Sequence, residues 1–193
     1  MAAITTFAPE LLRLQLPRLV YSGCFLAGGA IRDSLVGEKP SDFDVFGSEK
    51  ALRDFEVANF KDIRSTFTNG IVTNYVLDGK KFQICYRNLD NPVSFINHVD
   101  YNICQFAFDG SVIYATAEAL IGVYSKKLIV ANIHKEHTLD TLRRMQKYIQ
   151  KGYTICDGGL NRIVAAIRAL NDEELAAQVS FYPDGKERIN RFD

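Results

Sequence analysis

Two aspartates separated by a single residue, Asp42 and Asp44, are the side chains of this sequence best suited to chemistry. On a β-strand they would point to the same face, with their Cα atoms about 7 Å apart. Carboxylates about 4 Å apart repel by roughly 4 kcal/mol at an effective dielectric near 20, so the pair requires a proton, hydrogen bonds or a cation. Mg²⁺ prefers oxygen ligands and takes the rest of its shell from water and substrate phosphates. The pair therefore predicts a Mg²⁺ site, with Mn²⁺ as an alternative ion.

A glycine pair, Gly28-Gly29, precedes the aspartates and opens a short helical pattern. Glycine lets a backbone approach a phosphate closely, and the free N–H groups at a helix start point toward such an anion. Arg32 either reaches the same phosphate or pairs with Asp33 inside the protein. A phosphate cradle beside a metal-binding carboxylate pair indicates transfer chemistry on a nucleotide.

The segment Gly28-Gly29-Ala30-Ile31-Arg32-Asp33, followed by Ser41-Asp42-Phe43-Asp44, resembles the signature of the DNA polymerase β-like nucleotidyltransferases. The nearest branch is the poly(A) polymerase and CCA-adding tRNA nucleotidyltransferase group, and the resemblance covers about residues 20–155. It implies an α+β fold: a nucleotidyltransferase head, with a mixed β-sheet flanked by helices, and a small C-terminal helical extension. It also implies transfer of a nucleoside monophosphate from an NTP to a hydroxyl acceptor, with Mg²⁺ at Asp42 and Asp44 and release of pyrophosphate.

The sequence departs from the family pattern at two places. The third acid of the superfamily corresponds to Gln83, within Gln83-Ile84-Cys85-Tyr86-Arg87, and glutamine supplies no negative charge. Asp100-Tyr101-Asn102-Ile103 resembles a motif whose Asp and Arg contact the nucleotide ribose, but His98 and Val99 stand at the arginine positions. The resemblance implies a nucleotide contact by Asp100. It leaves open whether the two aspartates act alone, whether Asp100 is the third catalytic acid, or whether catalysis is weakened or lost.

Leu142-Arg143 and Gly152-Tyr153 resemble the neck helix of CCA-adding enzymes, whose residues read the base. The resemblance adds Arg143 and Lys147 to Gly28, Gly29, Arg32 and Asp100 as nucleotide-binding candidates. Arg143, Lys147 and Lys151 recur at four-residue spacing, and such a stripe either binds RNA phosphates or faces solvent. The base-reading motif itself has no convincing counterpart, so the sequence does not identify the NTP.

Two further groups of side chains near the neck are expected to be structural. Tyr148 and Tyr153 have the rings to stack on a base, but core packing is the favoured interpretation. His134 and His137 are separated by two residues and have no further ligand cluster beside them, so no metal site is expected there.

The elements that position these residues follow from hydrophobic periodicity, capping residues and turns. Residues 1–132 are expected to form the head and residues 133–193 a helical, neck-like extension. Strands are predicted at 63–68, 70–77, 80–87, 100–108 and 127–132, in addition to those that flank the glycine pair. Helices are predicted at 8–20, 48–60, 92–98 and 117–125, from Thr138 onward, around Leu160–Leu170, and from Asn171 or Asp172.

Composition limits the partners. The chain has 193 residues and zero formal net charge, which argues against sequence-blind attraction to nucleic acid over the whole surface. DNA is not an expected partner, whereas the locally basic helix after residue 133 favours an RNA or tRNA 3′ end. The four cysteines are widely spaced, as expected of free thiols in a reducing compartment. With no signal region and no apolar run long enough for a bilayer, the protein is expected to be cytoplasmic and to bind no membrane.

Three functional classes remain open from the sequence. The favoured one is a minimal Mg²⁺-dependent nucleotidyltransferase that acts on an RNA 3′ end, a protein side chain or a small molecule. The second is a catalytically degraded module of the same fold that binds nucleotide, RNA or a partner protein. The third is a structural or oligomerisation domain.

Overall fold

A computed structural model describes residues 3–9, 16–87 and 89–180 of the chain. Of the helix expected over 8–20, residues 10–15 lie outside the described residues, and residues 16–20 are not helical. The described strands are β1 (Ile4–Phe7), β2 (Phe25–Ala27), β3 (Phe43–Phe46), β4 (Phe67–Thr68), β5 (Val72–Leu77), β6 (Lys80–Cys85), β7 (Phe106–Phe108), β8 (Ile113–Thr116), β9 (Lys127–Leu128) and β10 (Thr154–Ile155).

Eight of these strands form one sheet in the order β1-β8-β7-β2-β3-β6-β5-β4. Neighbours pair antiparallel except β3 and β6, which run parallel. The turn between β5 and β6 is Asp78-Gly79, with φ angles of 51° and 72°. Positive φ at both central residues matches the right-handed twist of a two-residue hairpin. The predicted mixed sheet flanked by helices is confirmed.

Helices cover both faces of this sheet. They are α1 (Gly29–Leu35), α2 (Glu49–Phe60), α3 (Pro92–His98), α4 (Ala117–Ser125), α5 (Thr138–Gln150), α6 (Asp157–Arg168) and α7 (Asp172–Ser180). Because side chains alternate along a strand, Val45 and Phe82 pack into the larger core with α1 and α2. Phe46 and Cys85 instead belong to a smaller cluster with Phe95 of α3. The sheet face that carries α3 is also the one on which Asp44 lies.

The strand predicted over 100–108 is wrong in its first half. Tyr101 makes an isolated bridge to Val130, Asn102–Cys104 form a 3₁₀ turn, and only Phe106–Phe108 are strand. The reason is the buried Asn102 side chain. Its Nδ2 donates to the carbonyls of Glu118 and Lys127, and its Oδ1 accepts from the N–H of Ile129. These long-range bonds hold the segment out of a regular ladder.

Helix α5 packs directly against the head. Tyr101 Oη donates to the carbonyl of Thr141 at 2.7 Å, and Lys151 Nζ lies 3.2 Å from Asp33 Oδ2. Strands β9 and β10 pair in parallel, one before α5 and one after it. These contacts fix α5 against the 3₁₀ turn and α1. The division of the chain at residues 132 and 133 stays a prediction.

All four cysteines are free, with Cys24, Cys85 and Cys104 buried and Cys156 exposed. Among the residues that the structure describes, no helix is both long and apolar enough to cross a bilayer.

Candidate active site

The aspartate pair lies at the start of β3. Asp44 is flanked in the sheet by Ala27 of β2 and by Gln83 of β6, and Asp42 immediately precedes the strand. Phe43 and Val45 point into the core below, so the two carboxylates project from the opposite face. Gln83, which corresponds to the third acid in the pattern that the sequence resembles, therefore lies beside Asp44 in the sheet.

Burial and the neighbouring carboxylate of Asp42 raise the pKa of Asp44 well above its usual value. The charges of Lys81, Lys147 and Arg144 act in the opposite direction. Asp42 is itself buried, and its Oδ1 accepts from Ser41 Oγ at 3.0 Å. The carboxylate of Asp42 therefore contributes, after burial, to the raised pKa of Asp44.

Gln83 and Lys81 complete the surroundings of this pair. In the amide orientation that satisfies both neighbours, Gln83 Nε2 donates to Asp44 Oδ1 at 3.0 Å, and Gln83 Oε1 accepts from Lys81 Nζ at 2.9 Å. Lys81 Nζ also lies 3.7 Å from Asp42 Oδ2. The amide oxygen of Gln83 is thus turned toward an ammonium group rather than toward the carboxylates.

The donor set fits Mg²⁺ only when the ion is shared with a substrate. Within the described part of the chain, no three His, Cys, Asp or Glu side chains converge as a metal cage. Mg²⁺ is commonly held by one or two carboxylates together with waters and substrate phosphates. Asp42 and Asp44 supply that minimum, so a nucleotide-bound ion fits and a permanently bound structural ion does not.

The glycine turn precedes α1 at the end of β2. Gly28 has φ 68° and ψ −121°, a conformation that favours glycine. A Cβ there would make only an ordinary contact, 3.8 Å from Phe95. The backbone conformation, rather than crowding, therefore requires the glycine. Gly28 and Gly29 line the same cavity as Asp44.

This cavity lies between the sheet face, α3 and α5. Asp44 and the two glycines line it together with Asp100, Arg87 and Arg144. Its walls are formed by Ala27, Gly28, Gly29, Arg32, Asp44, Phe46, Cys85, Arg87, Leu89, Phe95, His98, Val99, Asp100, Cys104, His134, His137, Asp140, Thr141, Arg144 and Tyr148.

Asp100 combines deep burial with an unsatisfied oxygen. Its side chain is 5% exposed, and its Oδ2 accepts from Arg144 Nη1 at 3.0 Å. Its Oδ1 has no hydrogen-bond partner among the described residues. A buried carboxylate oxygen without a donor is costly, and Asp100 is one of the residues that line the cavity.

Sequence reasoning missed Arg144. The signal that could have found it is Tyr148, which was expected in the core and is 4% exposed. Residues four apart on a helix share a face, so Arg144 faces inward with Tyr148. Arg143 points elsewhere: it is not among the cavity-lining residues, and its Nη1 lies 2.9 Å from Asp140 Oδ1.

Two side chains of the basic stripe of α5 form ion pairs with acids of the protein itself. Lys151 pairs with Asp33 and Arg143 with Asp140. Burial, with the nearby charges of Lys151 and Arg32, lowers the pKa of Lys147 to about 8. Of the two roles considered for Arg32, the structure shows the pairing with Asp33 inside the protein: Arg32 Nε donates to Asp33 Oδ1 at 2.7 Å. Phosphate contacts by these residues stay predictions.

Both neck tyrosines are buried, as expected: Tyr153 is 3% exposed, and Cys104 Sγ lies 3.0 Å from Tyr148 Oη. The rings of His98 and His134 stack with centroids 4.1 Å apart. Burial and this second imidazole lower the pKa of His98.

Comparison with protein families assigns the chain. The model described as "Gabija anti-defense 2 family protein" matches residues 3–126, more than half of the sequence. The chain belongs to the Gabija anti-defense 2 family. Gabija anti-defense 2 of Bacillus phage SPbetaL7 is 26% identical over 143 residues, which are 72% of this chain and 36% of the phage protein. The chain thus spans about a third of the curated relative that it matches.

Solved structures show the fold of this family member. A Thermotoga maritima CCA-adding enzyme complexed with tRNA aligns with a TM-score of 0.63 and 15% identity, over 84% of this chain and 46% of the enzyme. A CCA-adding enzyme complexed with CTP aligns with a TM-score of 0.64 and 15% identity, over 90% of this chain and 49% of the enzyme. The predicted nucleotidyltransferase fold is confirmed, and the chain spans less than half of each of these enzymes.

Proposed function

We propose that the cavity binds an NTP with Mg²⁺ and transfers its nucleoside monophosphate to a hydroxyl acceptor, releasing pyrophosphate. The observation that carries this proposal is that Asp44, two residues after Asp42, lines the same cavity as Asp100, whose Oδ1 has no hydrogen-bond partner among the described residues. A carboxylate pair suits the metal-bound triphosphate, and a buried acceptor suits a ribose hydroxyl.

Each residue then has a distinct part in the reaction. Asp42 and Asp44 would hold Mg²⁺, which would neutralise charge on the phosphates. Gly28 and Gly29 shape the wall against which the triphosphate lies. Asp100 Oδ1 accepts a hydrogen bond from the ribose, while Arg144 Nη1 holds the other oxygen, Asp100 Oδ2, in place. Gln83 cannot take a proton from the acceptor hydroxyl, so that proton leaves to one of the aspartates or to water.

The biological role that we propose is Gabija anti-defense, after the name of the phage relative. An RNA or tRNA 3′ end is one proposed acceptor, supported by the similarity to a CCA-adding enzyme complexed with tRNA. The α5 stripe adds little support, because Lys151 and Arg143 pair with acids of the protein itself. A protein side chain or a small molecule is the alternative acceptor.

Incubation with each α-labelled NTP, Mg²⁺ or Mn²⁺ and total RNA tests the transfer. We expect label on RNA or on protein with the wild type and none with Asp42→Ala or Asp44→Ala. Asp54→Ala is the matched control, because Asp54 is exposed on α2 and pairs with Lys50 at 2.7 Å. Undiminished labelling by both aspartate variants would overturn the assignment of the carboxylates.

A second candidate function is favoured by Gln83, which stands in place of the third acid beside Asp44. In this alternative the chain binds Mg²⁺ and NTP without transfer. Its signature is a rise in melting temperature with nucleotide and Mg²⁺, together with no labelled product.

A further inference from the structure

Lys81 places an ammonium group beside Asp42 and Gln83, at the carboxylate pair. Lys81 belongs to β6 and lies two residues before Gln83, so both side chains project from the same face of the strand. Its Nζ lies 3.7 Å from Asp42 Oδ2 and 2.9 Å from the amide oxygen of Gln83. Its side chain is 38% exposed, whereas that of Asp42 is 9% exposed.

The position of Lys81 sets up a competition. Two neighbouring carboxylates repel each other, and an ammonium group within about 4 Å offsets part of that repulsion. A divalent ion that binds the same carboxylates experiences the same ammonium charge as repulsion. Lys81 therefore stabilises the pair without metal and opposes metal that arrives alone.

The side chain of Lys81 is partly exposed, so a phosphate that arrives from solvent can reach it. A lysine ammonium is a compact charge on a flexible stem and pairs readily with phosphate. A metal-bound triphosphate would bring both a cation for Asp42 and anions for Lys81. The ammonium then exchanges one negative partner for another rather than losing its partner.

We infer that Lys81 couples the two ligands: it excludes a lone divalent ion from Asp42 and Asp44, and it binds the phosphates when the ion arrives with a nucleotide. This inference rests on the proposed function, because it assumes that the pair receives a metal-bound NTP. It adds a specificity-determining residue that the sequence motifs do not include.

Two titrations with Lys81→Gln give opposite signs if the coupling exists. We expect Mn²⁺ alone to bind the Lys81→Gln variant about tenfold more tightly than it binds the wild type. The electron paramagnetic resonance signal of the free ion measures this binding. We then use calorimetry with Mg·ATP, Mg·GTP, Mg·CTP and Mg·UTP. We expect every nucleotide that the wild type binds to bind Lys81→Gln about tenfold more weakly. Lys81→Arg keeps the charge and should stay close to the wild type in both.

Lys80→Gln is the matched control, because Lys80 is the exposed neighbour on the other face of β6. It should change neither affinity, and thermal melting should show that all variants fold. Affinities that shift in the same direction in Lys81→Gln, or that do not shift, would overturn the coupling while leaving the proposed function intact. A wild type that binds neither Mn²⁺ nor any NTP would overturn both.

Discussion

The cavity wall around Asp100, here called the Asp100 end, and the wall around Asp44, here called the aspartate end, both depart from the motifs that the sequence resembles, but they differ in what stands there instead. At the Asp100 end, His98 and Val99 stand where the resembled motif has arginines, and Arg144 of α5 supplies a guanidinium from 44 positions along the chain. At the aspartate end, Gln83 stands where the resembled pattern has an acid, and the structure places Lys81 beside Gln83 and Asp42.

We expect this difference to separate binding from catalysis. The Asp100 end has an ion pair and a carboxylate oxygen without a donor among the described residues, as expected of a binding site. The aspartate end has the minimum for a metal-bound triphosphate, but Gln83, which accepts from Lys81, occupies the position of the third acid in the resembled pattern. We therefore expect Gln83 to affect the proposed transfer step more than nucleotide affinity.

Breaking the ion pair at the Asp100 end should have the largest effect. Arg144→Gln leaves a buried carboxylate without its partner, and we expect a loss of about 3 kcal/mol in the free energy of unfolding. We also expect a fall of at least tenfold in Mg·NTP affinity at a temperature where the variant is folded. Chemical denaturation and calorimetry measure the two effects.

Arg143→Gln is the control for this prediction, because Arg143 is adjacent in sequence but pairs with Asp140 at the surface of α5. We expect its unfolding free energy to change by less than about 0.5 kcal/mol. Equal losses in the two variants would mean that the ion pair with Asp100 is not what organises this end of the cavity.

An acid introduced at position 83 tests whether the aspartate end of the cavity lacks only this group for transfer. Gln83→Glu places a carboxylate beside Asp44 and within reach of Lys81, so we expect labelled product to form about tenfold faster with Mg²⁺. Gln83→Ala removes the amide without adding charge and serves as the control. A Gln83→Glu variant that binds nucleotide and transfers no faster would show that more than this acid is missing.

The smallest expected effect concerns pH. Because the pKa of Lys147 is lowered to about 8, its ammonium is present at pH 7 and largely lost at pH 9. If it attracts the triphosphate, affinity for Mg·NTP should fall a few-fold between these values. Lys147→Arg should remove most of the fall, since arginine stays charged.

Lys135→Arg is the control for the pH series, because Lys135 pairs with Glu174 on the surface. It should keep the wild-type fall in affinity. A fall that persists unchanged in Lys147→Arg would assign the pH dependence to another group.

Local features of the fold were predictable from sequence because they depend on neighbouring residues. Ser48 Oγ accepts from the N–H of Ala51, and Asn91 Oδ1 accepts from the N–H of Ser94, so local caps begin the helices predicted at 48–60 and 92–98. The two-residue turn Asp78-Gly79 joins the strands predicted at 70–77 and 80–87. The alternation of Phe43 and Val45 with Asp42 and Asp44 likewise fixed the face of β3 that the acids share.

Features that depend on distant contacts were not predictable in the same way. The stripe of Arg143, Lys147 and Lys151 was visible from spacing, but only the docking of α5 shows that Arg144 faces the cavity. The strand expected from Asp100 is interrupted by bonds from Asn102 to residues 16 to 27 positions away. Nor does the sequence show that Lys81 reaches both Asp42 and Gln83.

The central claim is that the cavity binds a metal-bound NTP, and its most direct test is anomalous diffraction from crystals soaked with Mn²⁺ and an NTP that the protein binds. We expect the Mn²⁺ peak between the carboxylates of Asp42 and Asp44, with the triphosphate beside Gly28 and Gly29. A ribose hydroxyl should lie within hydrogen-bond distance of Asp100 Oδ1. An ion bound away from the two aspartates, or a nucleotide that does not reach Asp100, would contradict this account.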